Sequence, residues 1–120
     1  MNKKLILIAL ISLIMISVLI EKFSSKTANG EFDFFAQCLS NKGITMYGAD
    51  WCPHCQNEKK AFGGSFRFVP YVECSDEPQK CLAAGITGYP TWIFPDGKKL
   101  IGEQGLKKLS EESGCLLPIS

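Results

Sequence analysis

Sixteen consecutive residues, Leu5 to Ile20, are Leu, Ile, Met, Val and Ala, broken only by Ser12 and Ser17. The run has no polar face, so it does not suit the wall of a small soluble core. As a helix it would be roughly 24 Å long, a little short of a ~30 Å hydrocarbon layer. Lys4 and Lys22 can snorkel over the difference. With Lys3 and Lys4 in front, residues 1–22 read as a membrane anchor or a signal segment. Glu21-Lys22-Phe23 and Lys26-Thr27-Ala28 match a cleavage site poorly, so an uncleaved anchor is the expected form. A single-pass cell-membrane protein follows, with its soluble part on the extracytoplasmic side. Cleavage would make it secreted or periplasmic.

Residues 23–30 are polar and small and read as a tether. About 90 residues remain, 31–120, enough for one domain with one core. The net charge is +1 and no basic run is dense, so nothing argues for nucleic acid. All six cysteines lie outside the apolar segment. An even count suits an oxidising compartment but permits fifteen pairings.

Phe32, Phe35 and Leu39 fall at helical spacing, and Asn41-Lys42-Gly43 stops that helix, placing it over 31–41. Ile44 to Tyr47 reads as a buried strand. A second helix begins at Cys52, with Pro53 at its first position, and ends at Gly63-Gly64. Phe66 to Glu73 alternates as a strand, which Pro70 restricts to regular pairing over 71–73. A short helix spans 77–84. Thr91–Phe94 and Lys98–Ile101 flank Pro95-Asp96-Gly97 as a hairpin. Leu106 and Leu109 mark a last helix, ended by Gly114. This order implies a mixed α/β sheet with helices on both faces.

Chemistry concentrates in Trp51-Cys52-Pro53-His54-Cys55. At a helix start the Cys52 sulfur meets unpaired N–H groups and the positive end of the dipole, which favour a thiolate. His54 can add a donor or a charge beside it. One turn further in, Cys55 is expected to be less exposed and to act as the resolving thiol. A static bridge or half a zinc site is the alternative, with Cys74 and Cys81 as the further zinc ligands. Pro90 at a strand entrance suggests a cis Tyr89-Pro90 bond, with Tyr89 offering its backbone to an incoming peptide. An ordinary trans turn is the alternative there. Trp51 reads equally as a packing or a substrate-contact residue.

Together these residues resemble the thioredoxin superfamily. Trp51–Cys55 and Gly85-Ile86-Thr87-Gly88-Tyr89-Pro90-Thr91 stand in its order and at its separation. Cys-Pro-His-Cys is similar to the motif of the oxidising DsbA-type enzymes. Tyr47–Cys55, Phe62-Gly63, Pro70–Cys74 and Gly88–Trp92 look like the small domain found beside, or fused to, homologues of vitamin K epoxide reductase. The resemblance covers about residues 32–115. It implies a thioredoxin-like fold trimmed of its usual first strand. It also implies a disulfide carrier with no bound cofactor, whose redox-active disulfide is Cys52–Cys55. The carrier would oxidise exported cysteine-containing proteins and be recharged by a quinone-linked membrane partner, necessarily a separate chain. Met46 stands where thioredoxin carries a buried Asp. A reductase or isomerase fed by a membrane electron donor is the second reading. A metal-binding or structural module is the third.

The remaining residues have plainer expectations. Cys74 and Cys81 flank a short loop and suit a local structural bridge, with an auxiliary redox relay as the alternative. Cys38 and Cys115 could join the first helix to the C-terminus. The resemblance places those helices on opposite faces of the sheet, which leaves free thiols as the other outcome. Lys59, Lys60, Lys107 and Lys108 read as solvated faces. Glu58 reads as a surface carboxylate, its alternative being a proton acceptor for the buried thiol.

Overall fold

The computed structural model describes residues 2–24 and 30–119. The chain divides into two units, Met1–Gly30 and Glu31–Ser120. In the first, helix α1 covers Lys3–Ser24. Lys3–Glu21 is long and apolar enough to cross a membrane, a property that a signal sequence shares. The helix takes in the first two residues assigned to the tether, and residues 25–29 of that tether lie outside the described residues.

The second unit runs α2 (Asp33–Asn41), β1 (Thr45–Gly48), α3 (Pro53–Phe62), a 3-10 helix (Gly63–Phe68), β2 (Tyr71–Glu73), α4 (Pro78–Ala83), β3 (Thr91–Ile93), β4 (Lys99–Ile101) and α5 (Gly105–Ser113). The sheet order is β2-β1-β3-β4. β1 pairs parallel with β2 and antiparallel with β3, and β3 pairs antiparallel with β4. Among the described residues no strand precedes α2. The mixed sheet and its helices form a thioredoxin-like fold.

Register divides the side chains between two faces, because directly paired residues point the same way. Tyr71, Met46, Trp92 and Leu100 lie in one row across the four strands. Met46 and Trp92 are fully buried on this face. The Phe62 ring of α3 lies 6.0 Å from that of Trp92 and 5.7 Å from that of Phe35 in α2. Helix α2 therefore joins the α3 side of the core. On the opposite face Lys99 Nζ donates to the carbonyl oxygens of Ala84 and Gly85 at the end of α4.

One segment departs from expectation. Residues 66–68, read from alternation as the start of a strand, belong to the 3-10 helix. Gly63 at φ +56° turns the chain out of α3, a conformation glycine adopts without steric cost. Phe66 then packs edge-on against both Phe62 and Tyr71, at 5.8 and 5.6 Å.

The bridge between Cys38 and Cys115, one of the two outcomes expected of them, is formed, and the placement of their helices on opposite faces of the sheet is the second departure. Gly114, at φ +73°, ends α5 in the left-handed conformation and turns the chain. Cys115 enters the same core as Phe35 and Phe62, and Lys42 Nζ donates to the carbonyl oxygen of Ser113. The two cysteines are therefore not separated by the sheet.

Candidate active site

The strand–turn–helix passage from β1 to α3 builds the site. Cys52 has extended backbone, φ −82° and ψ 117°, and caps α3 with its own side chain. Pro53 follows at the first helical position, where its missing N–H costs nothing. The Cys55 N–H donates to Cys52 Sγ at 3.2 Å. An acceptor at a helix N-terminus gains from carrying negative charge. Both residues are thiols here. Cys52 is 4% exposed and Cys55 is completely buried, the order expected of an attacking and a resolving sulfur. Burial, and next the hydrogen bond to Cys52, push the Cys55 thiol up to about 12.

His54 pairs with a carboxylate of the β4–α5 loop. Its Nδ1 meets Glu103 Oε2 at 2.9 Å, and Asn57 Nδ2 donates to the same oxygen at 3.4 Å. The hydrogen bond to His54 holds the Glu103 carboxyl below its ordinary range. The two residues line an open cleft with Gly102, Gln104 and Gly105. Sequence reading missed Glu103, since only the fold brings the β4–α5 loop to the start of α3.

Glu58 corrects a surface assignment. It is fully buried. Its Oε2 accepts from Trp92 Nε1 at 3.2 Å and from the Gln104 N–H at 2.7 Å, and its Oε1 accepts from the Gly105 N–H at 2.7 Å. A side chain of α3 thus satisfies the open N–H groups at the start of α5. It holds the loop that carries Glu103 to His54. Cys55, Glu58 and Phe62 are the buried residues of α3, and their helical spacing was the available signal. Glu58→Ala is expected to lower the stability of the domain by about 3 kcal/mol, because three donors lose their acceptor, Trp92 Nε1 among them in the buried core. Thermal unfolding measures it; a change within about 0.5 kcal/mol would show that the loop is held by other contacts.

Lys59 is half-buried rather than fully solvated, with Nζ 3.9 Å from the centre of the Tyr71 ring. Lys107 and Lys108 pair along α5 with Glu111 and Glu112. Trp51 is 66% exposed, and its ring meets that of Tyr89 edge-on at 5.7 Å. Tyr89-Pro90 is a cis peptide. Pro90 is buried, and its carbonyl oxygen accepts from the Gly102 N–H at 2.7 Å. Cys74 is bonded to Cys81, and both are buried. That bond takes both sulfurs which the zinc alternative required.

The aromatic pair beside a helix-capping thiol, with the second thiol sealed behind it, completes the likeness that the sheet began. The chain is thioredoxin-like. A thiol-disulfide oxidoreductase, LTO1, from Arabidopsis thaliana is 41% identical over 91 residues, covering 68% of this chain and 24% of the relative. The protein disulfide isomerase-like proteins 2-2 and 2-1 of Oryza sativa subsp. japonica are 35% and 34% identical over 82 residues, each covering 57% of this chain and 22% of the relative. The chain thus spans less than a quarter of the length of each. No protein-family model matches it.

Proposed function

We propose that this thioredoxin-like chain is a thiol–disulfide oxidoreductase, held at the membrane by α1 with its domain on the extracytoplasmic side. It oxidises the thiols of exported proteins through a Cys52–Cys55 disulfide. A quinone-linked membrane partner, of the vitamin K epoxide reductase kind, restores that disulfide. The carrying observation is the Cys55 N–H donating to Cys52 Sγ at 3.2 Å. Two structural disulfides elsewhere in the domain accord with an oxidising compartment. The names of the relatives agree with the chemistry.

In the forward step a substrate thiolate attacks Cys52 Sγ. The Cys52–Cys55 bond breaks, and Cys55 leaves with the electron pair and takes up a proton. A second substrate thiolate then attacks the substrate sulfur of the mixed disulfide. Cys52 leaves as thiolate, and the substrate is oxidised by two electrons. Exposed Trp51, next to Cys52, and the half-buried Tyr89 that its ring meets offer the surface on which the substrate chain rests.

Cys55→Ser tests this reading. The variant is expected to accumulate mixed disulfides through Cys52 with exported proteins, visible as reducible high-mass bands on a non-reducing gel. A variant that traps no protein would overturn the reading. Direction is read from the reduction potential: a value near about −270 mV, that of thioredoxin, would reverse it.

A further inference from the structure

Cys55 must lose a proton before it can resolve a mixed disulfide at Cys52. Its thiol sits near about 12 because it is buried and hydrogen-bonded to Cys52. Burial, the larger cause, persists in the mixed disulfide, so unaided the thiolate is a small minority at neutral pH. Cys52 cannot take the proton at that step, since its sulfur is then bonded to the partner. Met46 is apolar. Glu58 spends its oxygens on Trp92, Gln104 and Gly105.

The space beside the buried sulfur leads elsewhere. A Cβ at Gly48 would lie 3.1 Å from Cys55 Sγ and 3.2 Å from Tyr71 Oη. With no side chain there, the thiol and the phenol both close in on the same side of the Gly48 backbone, which brings them together. Tyr71 Oη donates to Glu73 Oε2 at 2.7 Å. Glu73 Oε1 accepts from the N–H groups of Asp50 and Ser75, both at 3.1 Å, and those two residues are exposed. Tyr71 and Glu73 alternate on β2, so they share the face that α3 covers. The titratable groups around the thiol and the phenol are Cys52, which caps α3, Lys59 of α3, Tyr71 and Glu73 of β2, and Asp50 after β1.

We propose that Tyr71 and Glu73 relay the proton of Cys55 to and from solvent. During recharging, the Cys55 proton passes to Tyr71 Oη while the Tyr71 proton passes to the Glu73 carboxylate. Cys55 Sγ then bonds to Cys52 Sγ, and the partner sulfur leaves with the electron pair of the broken bond. The same path run backwards protonates Cys55 when a substrate thiolate opens the disulfide. Burial opposes charge on Glu73, but hydrogen bonds from Tyr71, Ser75 and Asp50 outweigh it and hold the carboxyl below its usual range, so it stands ionised and takes a proton only in passing to solvent. Burial, and next the bond to Glu73, raise Tyr71, so the phenol passes a proton through without resting as phenolate.

This proposal rests on Cys52 and Cys55 being the working pair, and one assay separates the two claims. The reduced full chain in detergent is mixed with dithiobis-nitrobenzoate, and release of the coloured thiolate is followed by stopped flow from pH 6 to 10. The first equivalent reports the Cys52 adduct; the second reports Cys55 displacing it. Tyr71→Phe and Glu73→Gln are expected to leave the first phase unchanged and to slow the second about tenfold or more at pH 7, the scale of general-base assistance. The deficit should shrink as the pH rises and hydroxide takes over. Second-phase profiles that superimpose on the parent's, or a deficit equal at every pH, would overturn the relay and leave the oxidoreductase reading intact. Failure of the parent to form the adduct would sink both. Should one variant unfold, the other decides.

Discussion

Cys52→Ala is expected to return the oxidation of a reduced two-cysteine peptide by glutathione disulfide to its uncatalysed rate, a loss of about a thousandfold or more. The reason is access. Of the two free cysteines, Cys52 keeps 4% exposure, whereas Cys55 shows none. The other four cysteines are bonded in pairs. No side chain left in the variant can form the mixed disulfide, and the α3 cap that Cys52 supplies is lost with it. Cys55→Ala should also stop turnover, but should still form an adduct with one equivalent of an aromatic disulfide. A Cys52→Ala protein retaining a tenth of the parent rate would move the chemistry to another sulfur.

The second large effect concerns stability. Replacing both Cys38 and Cys115 with Ser is expected to cost about 4 kcal/mol, from a bridge whose partners are 77 residues apart in sequence. For a domain of about 90 residues this corresponds to a fall in Tm of roughly 15 °C or more. Both residues are changed together so that no lone thiol is left to exchange with Cys52. Far-UV circular dichroism on heating measures the loss. The Cys74–Cys81 pair closes only 7 residues, so the same substitution there should cost less. A loss below about 1 kcal/mol for Cys38 and Cys115 would mean that the Phe35–Phe62 stack and the Lys42–Ser113 hydrogen bond already hold α2 in place.

Much of this domain was legible because its punctuation is chemical. Pro53 and Gly63 bracket α3, Gly114 ends α5, and Asp96-Gly97 turns the hairpin, each through a backbone preference that one residue carries by itself. The cis Tyr89-Pro90 peptide was likewise readable from a proline at a strand entrance. What escaped depended on partners distant in sequence. Residues 66–68 alternate like a strand, but Phe66 is claimed by Phe62 and Tyr71. Glu58 looks like any helix-surface acid until the α5 N-terminus arrives 46 residues later with two unpaired N–H groups. Glu103 escaped as the partner of His54 because it is 49 residues away. The Cys38–Cys115 pairing was one of two outcomes left open, and choosing it needed the knowledge that α2 shares the core of α3, which the Phe35–Phe62 contact reveals and no local pattern encodes.

The two bonded cysteine pairs give each new copy of the protein a pedigree. A freshly made chain arrives with six thiols, four of which must be joined before its fold is secure. An oxidant must therefore already be at work wherever the chain matures. Under reducing conditions newcomers would fail to close their bridges, while molecules already bridged keep the fold they have.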